Sequence, residues 1–121
     1  MTAPEDWIEI RRSTDRERVG WLREHGDSWM PVDILGRDLA DGARDWDRAE
    51  RDLEELGLGF LAERWELDTA EGTIPVRIVE VSEERIVVTR DDIGSASAII
   101  PGLRREEHVL PWPAPAGLRL R

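Results

Sequence analysis

Apolar residues along this chain alternate with polar ones in several short stretches and recur every three to four residues in only one. Residues 7–12 (Trp-Ile-Glu-Ile-Arg-Arg) and 18–24 (Arg-Val-Gly-Trp-Leu-Arg-Glu) have the two-residue period of half-buried strands and flank the polar turn Ser13–Glu17. Residues 29–35 form a third apolar run. Pro31 makes it an edge strand or an extended segment, because proline cannot donate to a ladder. A loop is expected from Gly36 to Arg44.

The next segment has helical periodicity. Trp46, Ala49, Leu53 and Leu56 fall on one face, Asp45 is placed as the N-cap, and Asp47 complements the positive end of the helix dipole. Gly57 suits the left-handed residue that ends a helix, with Leu58 able to pack back on Leu53. The pattern predicts a helix over residues 45–57.

Strand patterns then return. Leu58–Leu67 reads as a strand, Gly72 as a turn, and Val76–Val81 with Arg85–Arg90 as a hairpin around Ser82-Glu83-Glu84. Ala98-Ile99-Ile100 and Glu107–Leu110 are further short strand candidates, and the proline-rich segment from Pro111 to Pro115 is extended. Residues 58–64 echo residues 19–25 in sequence, read as similar strand chemistry and not as a repeat. The expected fold is α+β: a single domain spanning residues 1–121, disordered at residues 1–5 and ending in an extended tail from residue 111. Its mostly antiparallel, curved or barrel-like sheet has five to seven short strands, and one main helix lies at 45–57.

The register of the first hairpin has a consequence for its tryptophans. If partners' numbers sum to about 30, Ile8 faces Leu22 and Ile10 faces Gly20, while Trp7, Glu9, Arg11, Val19, Trp21 and Arg23 share the other side. A second layer, such as the helix through Trp46, would make that side core. Left open, it would be an aromatic groove with Arg11 and Arg23 at its rim. Six tryptophans against one phenylalanine and no tyrosine favour core, since tryptophan must supply the aromatic bulk.

Composition narrows the chemistry. All seventeen basic side chains other than histidine are arginines; lysine, cysteine, tyrosine, asparagine and glutamine are absent. Schiff-base lysines, phosphate-loop lysines and thiolates are therefore excluded. No cofactor or metal is expected: neither histidine stands in a ligand spacing, and the acidic run 38–47 does not fit a calcium-loop template. The net charge of −10 argues against nucleic acid as a partner. Its densest part, residues 38–55, carries Glu50 and Glu54 four apart on the predicted helix; a solvated helix face is the preferred account, and a protein with a basic surface is the partner it would suit. The acidic amino-terminal segment is no secretory signal, and no run approaches the ~20 apolar residues of a membrane span, so a cytoplasmic location is expected.

Three weak catalytic candidates stand out. His25 lies beside Glu24, Asp27 and Ser28, but strand neighbours point to opposite faces, and a strand-ending turn accounts for the motif better. Glu80 lies between Val79 and Val81 and shares a face with Val76 and Ile78, which allows partial burial with a raised pKa; a strand-end residue paired to Arg77 or Arg90 is the preferred account. His108 follows Glu106-Glu107 in a strand. The preferred reading is a non-enzymatic module that binds a protein or a copy of itself, through Trp7, Trp21, Arg11, Arg23, Glu50 and Glu54. The alternatives are a small-molecule-binding protein or hydrolase using His25 or Glu80, and an acidic inhibitor or DNA mimic. A closed interior would favour the first, and an open pocket containing a histidine or Glu80 the second.

Overall fold

The computed structural model describes residues 3–91 and 106–121. The chain is α+β, and its contacts divide it into two compact units, Met1–Phe60 and Leu61–Arg121. The described residues form eight strands, three in one antiparallel sheet and five in another, and neither sheet closes into a barrel.

In the first unit, β1 (Ile8–Arg11), β2 (Arg18–His25) and β3 (Ser28–Asp33) pair in that order, followed by α1 (Trp46–Leu56). The register of β1 on β2 is Ile8 to Leu22, Glu9 to Trp21 and Ile10 to Gly20, with an irregularity after Ile10. Pro31 sits in edge strand β3, opposite Leu22. The outer edge of β3 carries Trp29, Pro31 and Asp33, and the segment after it seals that edge. Trp29 and Arg44 exchange backbone hydrogen bonds of 2.7 and 2.9 Å, and Leu39 N donates to Pro31 O at 2.8 Å. Proline is tolerated because the position of its missing N–H faces this edge and not the β2 ladder. The expected loop 36–44 is thus an edge cover.

Asp45 caps α1 by accepting from Arg48 N at 2.8 Å. Gly57 ends the helix at φ 58 and donates its N–H to Leu53 O at 3.0 Å; its ψ of −143 lies outside the left-handed helical well that the sequence suggested. Ala49 and Leu53 are buried with Ile10, Val19 and Leu22, and Trp29, Leu39, Trp46 and Leu58 pack around them. Leu56 is half-buried and outside this cluster. The helix therefore covers the Ile10 and Leu22 side of the hairpin. That corrects the expectation of a helix layer over Trp7 and Trp21. Gly20 explains the choice: a Cβ there would lie 3.0 Å from Leu53 Cδ2 and 2.1 Å from Val32 O, so the bare backbone lets the helix approach.

Residues 58–64 are not a strand. Gly59–Ala62 form a 3-10 turn, so the echo of residues 19–25 has no structural counterpart. The second unit comprises β4 (Trp65–Thr69), β5 (Gly72–Val81), β6 (Arg85–Arg90), β7 (Glu107–Pro111) and β8 (Leu118–Leu120), in the order β7-β6-β5-β4-β8. β5 begins at Gly72, four residues earlier than expected. The tail returns to pair Leu118 with Leu67 and Leu120 with Trp65. Trp112 is buried. The candidate strand at Ala98-Ile99-Ile100 lies outside the described residues.

Register places Trp65, Leu67, Ile74, Val76, Val88, Ile86 and Leu118 on one face of this sheet, and all seven are buried. A bulge at Val79 interrupts β5: Ile78 pairs with Val88, and Glu80 with Val87. The extra residue turns Glu80 to the side opposite Ile78, and the consecutive apolar residues Ile78 and Val79 mark the slip in the sequence.

Candidate functional site

A cavity of about 350 Å³ opens on the second unit, lined by Thr69, Ala70, Glu71, Ile74, Arg90, Glu106 and His108. Each contributor has a local reason for its position. Thr69 and Gly72 pair across the two-residue turn Ala70-Glu71. The Thr69 hydroxyl locks this turn, donating to Gly72 O at 2.6 Å and accepting from Glu71 N at 3.2 Å. Ile74 supplies an apolar wall from β5. Arg90 ends β6, and its backbone N–H donates to Glu106 O at 2.8 Å, which sets Glu106 beside it. His108 lies opposite Val88 in β7 and two residues beyond Glu106, so both side chains project to one side.

Glu106 links the two basic groups. Its Oε2 is 2.7 Å from His108 Nε2 and 3.8 Å from Arg90 Nη1. With the carboxylate ionised, His108 Nε2 carries the donated proton, and Nδ1 is left as the acceptor in the neutral ring. The arrangement can bind polar groups, but it does not assemble a nucleophile with a base, since the Thr69 hydroxyl donates to its own turn. No group of three His, Cys, Asp or Glu side chains among the described residues has the geometry to hold a metal ion.

The other candidates lie apart from this cavity. His25 is exposed, pairs with Ser28 and closes the turn Gly26-Asp27. Glu24 pairs with Trp29 on the opposite face, so it does not converge with the His25 and Ser28 pair. Glu80 is exposed and bound to Arg85 at 2.6 Å. Partial burial and a pairing with Arg77 or Arg90 are both corrected: the Val79 bulge turns Glu80 away from the Arg90 face, and on the face it reaches it binds Arg85.

Trp7 and Trp21 are neighbours, with ring centroids 6.1 Å apart, as the hairpin register implies. They do not form an open groove. Trp21 is only 3% exposed, and the Arg18 guanidinium stacks 4.8 Å from its ring. Arg11 pairs with Glu9 at 2.6 Å, and Arg23 is held by both oxygens of Asp38 at 2.8 and 3.1 Å. On α1, Glu50 is half-buried, and Glu54 accepts from Ser13 N at 3.2 Å. Asp52 is bound by Arg44 at 2.6 Å. Much of the acidic segment thus serves the unit that contains it.

Perturbed acids also lie outside the cavity. Asp33 is buried and its carboxyl is pushed up, although it accepts from Leu35 N and Arg37 N at 2.9 and 3.1 Å. A hydrogen bond from Arg12 lowers Asp15 to about 2, and one from Arg119 does the same to Asp68. These three acids organise turns and sheet surface.

Thr69, Glu71, Arg90 and Glu106 were not legible as a site, because three separated segments bring them together. The available signal was the Glu106-x-His108 spacing in a strand. No protein-family model, curated protein or solved structure matches this chain. No described helix is long and apolar enough to cross a membrane.

Proposed function

We propose that this protein is a non-enzymatic binding protein that takes a small polar ligand in the cavity beside His108. The carrying observation is the convergence of Arg90, Glu106, His108 and Glu71 around an open space of about 350 Å³ with an apolar wall at Ile74. Small-ligand sites combine such a concave apolar surface with a few placed polar groups, at volumes from about 300 Å³ upward. A ligand-observed NMR screen of small amines, carboxylates, amino acids and sugars tests the reading. At least one class should bind the protein at millimolar concentration and lose binding in His108→Ala. If no class binds, or binding is indifferent to His108, the reading fails.

A second reading, self-association, is favoured by exposed aliphatic side chains on the second unit. Val109 is 63% exposed on β7, an edge strand among the described residues, and Val79 is 49% exposed at the bulge of β5. Sedimentation over a wide concentration range should then reveal a dimer that Val109→Glu weakens. A monomer throughout would remove this reading. The acidic-inhibitor reading has less support, since Asp38, Asp45, Asp52 and Glu54 are engaged within the first unit.

A further inference from the structure

Charge accounting in the cavity identifies the kind of ligand it suits. Glu106 stands against the Arg90 guanidinium and the His108 ring, at 3.8 and 2.7 Å, and offsets the basic side of the pocket from within. Glu71 has no such counterpart. Its backbone N–H is tied into the β4–β5 turn, and among the described residues no ion pair or hydrogen bond engages its carboxylate. Counting histidine as neutral, the described lining residues carry one guanidinium against two carboxylates, so their uncompensated charge is negative.

An anionic ligand would have to separate Glu106 from Arg90 and then lie beside two carboxylates. A cationic ligand meets Glu71 without disturbing any contact among the described residues. The apolar part of the lining, Ile74 and the Ala70 methyl, has room for a short alkyl chain. We propose that the cavity takes a small alkylammonium compound, with Glu71 as the anchor for its cationic head. This rests on the reading of the cavity as a ligand site and adds the ligand's chemical class.

The test is a titration of the full chain, followed by amide ¹⁵N NMR, with three probes of similar length: n-butylammonium, butyrate and 1-butanol. Butylammonium should produce saturable shifts at Thr69–Glu71, Ile74, Arg90 and Glu106–His108 and bind more tightly than the other two. Glu71→Gln should weaken it about fivefold, the upper range for a single solvent-accessible ion pair, and added salt should weaken it further. Glu71 is exposed at a turn tip, and unchanged shifts elsewhere in the spectrum of the variant will verify its fold.

Tighter binding of butyrate or butanol at the same residues would overturn the inference and leave the ligand site standing. Equal affinity of wild type and Glu71→Gln for butylammonium would do the same. Shifts confined to other parts of the molecule, or no saturable shift with any probe, would overturn both.

Discussion

Two glycines show how differently one residue type can be used. At Gly20, φ is 152 and a Cβ would meet Val32 O at 2.1 Å, so backbone and space both demand glycine. At Gly57, φ is 58 and the nearest atom to a Cβ is 3.6 Å away, so only the conformation does. Chemical denaturation should separate them: Gly57→Ala is expected to cost about 1 kcal/mol, and Gly20→Ala about 3 kcal/mol or more through displacement of β3 and Leu53. Leu53→Ala, which empties the centre of the helix contact, should cost about 2–5 kcal/mol. Equal effects of the two glycine variants would contradict this account. The helix cap at Gly57 was legible because a stripe, a start and a stop coincide there. The role of Gly20 was not, since it depends on Leu53, more than thirty residues later in a helix that packs across the strand.

Among the elements, α1 and the first hairpin were legible in detail, down to the pairs Ile8–Leu22 and Ile10–Gly20. Short-range patterns specify both: period, cap and turn. Residues 58–64 misled because apolar density alone does not separate a strand from a 3-10 turn, and β8 was hidden in a short tail where Pro111, Pro113 and Pro115 dominate the pattern. The Val79 bulge is the third failure: the adjacent apolar residues Ile78 and Val79 shift the alternation by one residue, and reading Glu80 in phase with Val76 and Ile78 passes over that slip. It also yields a prediction. Deleting Val79 preserves the pairs Ile78–Val88, Glu80–Val87 and Val81–Ile86, so β6 amide shifts should persist and stability should change by about 1 kcal/mol or less. Loss of the β5–β6 pairing in that variant would mean that the bulge sets the twist of the sheet.

At the scale of the whole molecule, acid response should reflect two opposite terms. Asp15 in the first unit and Asp68 in the second have pKa values lowered to about 2. Their stabilisation is present above the unfolded carboxylate range and is lost as pH falls from about 4 through about 2. Asp33 has the reverse sign: its folded pKa is raised, so its favourable contribution is present in acid and lost as pH rises through the folded value. Unfolding curves between pH 2 and 7 should therefore show a weaker acid loss in Asp68→Asn than in wild type. Asp33→Asn should gain relative to wild type as pH rises. Parallel curves for all three proteins would refute these assignments.

The site also belongs to this scale, since it unites a turn, a strand end and a segment entering β7. Its most direct test uses the imidazoles themselves. The chain has two histidines, His108 in the cavity and His25 at an exposed hairpin end, so the second is an internal control. During titration with whichever compound the ligand screen identifies, imidazole ¹⁵N resonances of His108 should shift and saturate while those of His25 stay in place. Movement of His25 alone, or of neither ring while the compound demonstrably binds, would contradict the assignment of the cavity as the binding site.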